Sequence, residues 1–138
     1  FRMSSFQGAV LGVKLAHLEA WTARRNTLAR AYDRALAGAP VHTPAPCPDG
    51  RHAYHLYVVR HPRRDALREA LANAGVGTAV HYPTPIHLQP VFEGRGFPAG
   101  SLPVTEEIAR TCVSLPLYPE MPDAHVARVA EAIRGARV

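Results

Sequence analysis

The chain has 138 residues, 16 Lys+Arg against 11 Asp+Glu, and a formal net charge of +5. That length suits one domain with its own hydrophobic core, and no stretch approaches the roughly 20 uninterrupted apolar residues that span a bilayer. No short apolar block with a small-residue cleavage site opens the chain, so the sequence reads as a soluble, cytoplasmic protein without membrane association.

In chain order, residues 4–36 read as helix. Ser4 and Ser5 offer N-cap oxygens. Phe6, Val10, Val13 and Leu18, then Trp21, Leu28, Tyr32 and Leu36, recur near helical spacing. The length predicts two helices, or one bent near Leu18-Glu19. Gly38 and Pro40 end the run. A straight helix of about 30 residues would be about 45 Å long, more than a small domain covers, so part of its apolar stripe is expected to meet another domain or subunit.

Residues 41–50 carry Pro44, Pro46 and Pro48 and read as loop. "RHAYHLYVVR", 51–60, predicts a strand with Ala53, His55, Tyr57 and Val59 on one face. "HPRRDALREALANAG" predicts a helix with Leu67, Ala70, Leu71 and Ala74 as its stripe and Gly75 as its stop. "VGTAV", 76–80, predicts a second strand, in a parallel pair or a split arrangement. After an irregular stretch with one helical turn near Val91, "PVTEEIARTC" predicts a helix with Glu106 and Glu107 in its first turn. "VSLPLYP" predicts a third short strand. The last helix has Asp123 as its expected N-cap and Val126, Val129, Ala130 and Ile133 facing inward. The expected architecture is α/β: a helical arm over residues 1–38 and a small three-stranded sandwich over 39–138.

Lys14 is the only lysine, and the arginines are scattered. No aromatic-rich strand accompanies them as a base-stacking platform, which argues against nucleic acid. Dispersed arginines suit anionic small molecules, phosphates above all. Cys47 and Cys112 lack both a disulfide framework and metal-type spacing and read as reduced thiols. His52 and His55, three apart on an expected strand, point to opposite faces. His81 and His87 can approach across a turn, but their segment has no carboxylate or thiolate to complete a metal site. Ser114 lacks the glycine elbow of a hydrolase nucleophile, and "EGRGF" matches no phosphate-binding loop. No complete catalytic set emerges.

"HYPTPIH", residues 81–87, remains. Pro83 and Pro85 lock two φ angles and bias Tyr82 and Thr84 towards extended geometry. Such stiffening holds Tyr82 and His87 out at reduced entropic cost, and each offers a flat face with a polar tip, suited to a sugar or diphosphate. The same string also reads as a plain strand-ending turn.

The segments "FRMSSFQGAVLGVKLAHLEAWTARRNTLARAYDRAL", "AYHLYVVR", "HYPTPIHLQPVF" and "LPVTEEIARTCVSLPLYPEMP", in that order, resemble the C-terminal portion of the DegT/StrS family of pyridoxal-phosphate-dependent sugar aminotransferases. Phe1, Arg2, Met3, Ser4 and Gln7 match its entry motif, with Gly8 where alanine is usual. The resemblance implies the small C-terminal domain of an aspartate aminotransferase-like (fold type I) enzyme. It implies a homodimer with active sites at the interface, a nucleotide-linked keto-sugar as substrate and an amino-acid donor such as glutamate. It places Tyr82 and His87 in the nucleotide-sugar pocket, His81 in support, and Arg2 beside the cofactor phosphate. The Schiff-base lysine and the acidic partner of the pyridine nitrogen belong to the family's large domain, and Lys14 does not match the lysine motif. The chain is therefore expected to be part of a longer enzyme, to hold no catalytic residue and no metal, and to be inactive alone. Sugar dehydration, which some family members perform with histidine in place of that lysine, and a free-standing small-molecule sensor domain remain as alternatives.

Overall fold

A computed structural model of the chain describes residues 2–45 and 50–138. Phe1 and residues 46–49, which include Cys47, lie outside them.

The expected long helix is two. Helix α1, Ser5–Leu15, starts with a reciprocal cap: the Ser4 hydroxyl accepts from the Gln7 N–H at 3.2 Å, and the Gln7 side-chain oxygen accepts from the Ser4 N–H at 2.9 Å. Helix α2 runs Leu18–Ala35, so the break falls at Ala16-His17, beside the expected bend. The two helices differ in burial. No residue of α1 is buried, and Phe6, Val13 and Leu15 are largely exposed. Helix α2 contributes Leu28, Ala29 and Tyr32 to the core and packs against the last helix.

Strand β1 is Tyr57–Arg60 and strand β2 is Cys112–Leu115, paired antiparallel with Tyr57 opposite Leu115 and Arg60 opposite Cys112. Single bridges extend this pair on both sides, His42 to Arg60 and Ala79 to Ser114. The expected three-stranded sandwich is thus two strands with a bridging residue at each edge; of the two arrangements expected for residues 76–80, Ala79 follows the split one, bridging β2 antiparallel with β2 between it and β1, and does not pair with β1. The physical reasons are local. Tyr54 has φ +44° and its N–H donates to His52 Nδ1 at 2.8 Å, so the chain is turned where residues 51–56 would have to be extended. His52 and His55 consequently lie outside any strand, and the opposite-face argument does not apply to them. Gly75, just before residues 76–80, and Gly77 within them weaken the strand from its start, and only Ala79 pairs.

Helix α3, Arg64–Asn73, buries Leu67 and Leu71; Ala70 is half-buried and Ala74 exposed. Gly75 closes it at φ +74°, a left-handed conformation that favours glycine, with an Arg128 guanidinium nitrogen 3.0 Å from where a Cβ would stand. Two 3₁₀ turns follow, Ile86–Leu88 and Pro90–Phe92. Helix α4, Pro103–Thr111, runs directly into β2. Helix α5, Asp123–Gly135, turns Val126, Val129, Ala130 and Ile133 into the core as expected. Its N-cap is Pro122; Asp123 is the first helical residue and instead bonds Arg24 of α2 at 2.8 Å. Arg24 also donates to the Met121 and Pro119 carbonyls, at 2.7 and 3.3 Å.

At the centre Tyr32 and Tyr57 stack with ring centroids 4.9 Å apart. The Tyr32 hydroxyl donates to the Pro116 carbonyl at 2.9 Å and the Tyr57 hydroxyl to Asp33 Oδ1 at 2.6 Å. Burial pushes both phenols well above their usual pKa, and for Tyr57 the Asp33 bond adds to the effect. Leu71 is fully buried between α3 and this core. Leu71→Ala should lower stability by about 2–5 kcal/mol, read from urea unfolding midpoints at unchanged m-value.

Candidate functional site

Past the Ala79 bridge the chain leaves the edge of β2 and enters the proline-flanked loop. The His81-Tyr82 peptide is cis. His81 Nδ1 lies 2.9 Å from Ser114 Oγ on the buried strand β2, which fixes the ring against the sheet. The Tyr82 ring meets the His81 ring edge-on, centroids 5.5 Å apart, and is 73% exposed. Beyond Pro83 and Pro85 the first 3₁₀ turn carries His87 inward, to 9% exposure. The bend thus ends a sheet edge and also presents side chains: one ring outward, one inward.

His87 Nε2 lies 3.1 Å from Glu106 Oε1. Glu106 stands in the first turn of α4, and its carboxylate also accepts the Gly100 N–H at 2.8 and 3.0 Å and the Leu102 N–H at 3.4 Å. The His87 hydrogen bond, with the two backbone N–H groups behind it, holds the Glu106 carboxyl below its ordinary range against a smaller opposing effect of desolvation. It is therefore ionised at neutral pH and can only accept, so His87 Nε2 carries a proton. Gly100 has φ +88°, the left-handed conformation that aims its N–H at the carboxylate and suits glycine.

A cleft of about 610 Å³ opens beside His87, lined also by Gln89, Phe92, Glu93, Gly96 and Phe97. A smaller hollow of about 300 Å³ shares His87, Phe92 and Phe97 and adds Ile86, Leu102 and Thr105. The cleft lies in the size range of small-molecule sites, with aromatic faces and one convergent imidazole. Of the residues singled out from sequence, His81, Tyr82 and His87 share one loop, and His87 alone of the three lines this cleft. Arg2 is elsewhere: it borders a depression on α1 with Met3, Phe6 and Val10, which shares no residue with the His87 cleft.

Sequence reasoning missed Glu106 as a partner of His87, and missed the aromatic pair Phe92 and Phe97. Glu106 read only as an acid serving the helix dipole; nothing in the spacing signals its return to a residue 19 positions earlier. The Ser114-His81 contact brings a hydroxyl to an imidazole, but Ser114 is buried in β2 and no carboxylate bonds His81 among the described residues. That contact orients His81 and does not make a nucleophile. The described residues also contain no group of three or more His, Cys, Asp or Glu side chains arranged for a metal ion, and no helix long and apolar enough to cross a membrane.

The sequence profile of the DegT/DnrJ/EryC1/StrS aminotransferase family matches residues 1–134. The chain belongs to that family. The dTDP-3-amino-3,4,6-trideoxy-alpha-D-glucose transaminase of Streptomyces venezuelae is 43% identical over 134 residues, which cover 96% of this chain and 35% of the relative. The erythromycin biosynthesis sensory transduction protein EryC1 of Saccharopolyspora erythraea is 46% identical over 121 residues, 87% of this chain and 33% of its own length. Among solved structures, S. venezuelae DesV in complex with a ketimine intermediate superposes with a TM-score of 0.92 at 43% identity, over 96% of this chain and 36% of that one. The chain spans about a third of the length of the curated relatives it matches.

Members of the family use pyridoxal phosphate, which needs a lysine able to lose its proton in an enclosed site. Lys14 does not fit. It lies on α1, which has no buried residue, with its ammonium 5.8 Å from the Trp21 ring centroid. Mixing the chain with stoichiometric pyridoxal phosphate should give no saturable absorbance of a lysine-bound cofactor; a band abolished by Lys14→Arg would contradict this. A second expectation follows from the lowered Glu106 pKa. The carboxylate contacts persist above its lowered value and are lost as pH falls through it. The Gly100 amide resonance should therefore titrate with a midpoint below the ~4.3 of an ordinary glutamate; a midpoint at or above that value would contradict the contact.

Proposed function

We propose that the chain is the C-terminal small-domain part of a pyridoxal-phosphate-dependent aminotransferase that moves an amino group from an amino-acid donor, such as glutamate, to a nucleotide-linked keto-sugar. The observation that carries this reading is the 43% identity, across 96% of the chain, to a dTDP-sugar transaminase. The cleft geometry supports it. In this reading α2 belongs to the small-domain core, and α1 alone links it to the rest of the enzyme. The exposed apolar face of α1 is covered there by the large domain or by the second protomer of a homodimer, in the cytoplasm.

The cofactor, anchored outside this chain, supplies the electron sink for amino transfer. The residues of this chain bind and enclose. His87, fixed from behind, presents its ring to the cleft, and Phe92 and Phe97 add apolar faces. Tyr82 closes on the substrate from the outer side of the loop, and His81, tethered to Ser114, sets the root of that loop. Arg2 serves the cofactor phosphate from the α1 side. Among the described residues the cleft is lined by Glu93 and by no arginine or lysine. It therefore suits the uncharged sugar or base of the nucleotide-sugar better than its diphosphate.

The test is an assay of the full-length protein carrying this chain, with pyridoxal phosphate, glutamate and dTDP-linked keto-sugars. Release of 2-oxoglutarate in step with an aminated sugar nucleotide, seen by mass spectrometry, is expected. Loss of a sugar hydroxyl without nitrogen uptake would replace the reading by dehydration, and no turnover with any keto-sugar nucleotide would overturn it. Tyr82→Ala and His87→Ala should each lower kcat/KM by about tenfold or more.

A further inference from the structure

Glu106 lines neither hollow beside His87, yet its carboxylate gathers that imidazole and the N–H groups of Gly100 and Leu102. An acid in a first helical turn ordinarily serves the free N–H groups of its own helix. The Leu102 contact is of that kind, since Leu102 is the N-cap of α4. The other two contacts are not. Gly100 belongs to the loop that carries Gly94, Gly96, Phe97 and Pro98 along the cleft, and His87 belongs to the 3₁₀ turn on its other margin. One carboxylate therefore joins two cleft walls that are separated in sequence.

Its charge also fixes the imidazole. With Nε2–H committed to Glu106, Nδ1 is the ring nitrogen left for a ligand, and the described residues offer it no hydrogen-bond partner. We infer that Glu106 is a positioning residue for the sugar-nucleotide site: it holds the His87 ring with Nε2 protonated and Nδ1 presented to the ligand, and pins the 94–100 loop at the distance that closes the cleft. This rests on the substrate-binding reading above and names a residue through which that site is set.

The experiment uses the full-length enzyme, a dTDP-linked keto-sugar, and the variants Glu106→Gln, Glu106→Ala and His87→Gln. Glu106→Ala should raise the KM for the sugar nucleotide about tenfold, with kcat changed less than about threefold. Glu106→Gln should fall between, because an amide oxygen in the Oε1 place still accepts from His87, Gly100 and Leu102, while the negative charge and the second contact to Gly100 are lost. In the ¹⁵N spectrum of labelled histidine, wild-type His87 should be protonated at Nε2, and Glu106→Ala should mix the two ring tautomers. A purely structural role would lower kcat together with affinity and leave the tautomer of the folded fraction unchanged. If Glu106→Ala does not fold, Glu106→Gln decides. Wild-type KM and tautomer in the Glu106 variants, with a raised KM in His87→Gln, would overturn this inference alone. An unchanged KM in His87→Gln would overturn the pocket reading and this inference with it.

Discussion

The stacked, buried phenols of Tyr32 and Tyr57 are the contact on which the rest of the molecule is hung. Each ring fills the core and each hydroxyl is satisfied, one by the Pro116 carbonyl just after β2, the other by Asp33 on α2. A buried hydroxyl left unpaired would be costly, so these bonds select one depth for α2 against the sheet. Through Pro116 they also anchor the end of β2. That strand is buried along its whole length and carries Ser114, which bonds His81 through its side chain and Ala79 through its backbone. Helix α4 feeds straight into β2, so Glu106 hangs from the same strand. Both supports of the loop, Ser114 under His81 and Glu106 behind His87, thus trace to one short strand held by one pair of tyrosines.

Much of this was legible from pattern. The 3.6-residue spacing located α3 and α5: the α5 stripe reaches the core whole, and the α3 stripe does so through Leu67 and Leu71, with Ala74 left exposed. The Ser4 cap and the Gly75 stop were readable because each is a local device that needs no tertiary knowledge. The strands were harder. Alternation in residues 51–60 looks extended throughout, but the backbone at Tyr54 turns to give its N–H to His52, a choice set by a side chain two residues away and not by period. Residues 76–80 have the composition of a strand and only one paired residue. The site was legible as a stiff loop offering a phenol and imidazoles; its inward side was not, because the partner that holds His87 is Glu106, 19 residues later.

Arginine content gave the least transferable inference. Scattered arginines suggested phosphate ligands, yet many guanidinium groups are committed to the fold. Arg24 ties α2 to the segment before α5 through the Pro119 and Met121 carbonyls and Asp123. Arg64 donates to the Ala109 carbonyl and pairs with Asp65, Arg25 donates to the Ala53 carbonyl, and Arg134 bonds the Ala35 carbonyl. These are carbonyls at helix ends and in loops, groups outside the regular ladders that a five-donor fork satisfies well. In a small domain with short strands, arginine does work that longer sheets would do with backbone bonds.

Helix α1 stands apart from that economy. It has a complete cap and the aliphatic and aromatic side chains of a buried helix, but no buried residue. Capping fixes where a helix starts and contributes little towards hiding an apolar face, so the cap and the exposure coexist in α1. Continuity with α2, whose own face is locked into the core, fixes the end from which α1 projects. The consequence is an apolar rod held at a fixed origin, whose side chains Phe6, Val10 and Leu11 border the same depression as Arg2. Among the described residues Arg2 is the one cation that borders this depression, so its guanidinium stands beside exposed apolar side chains, a setting in which the interaction with an anion is less screened than in open water.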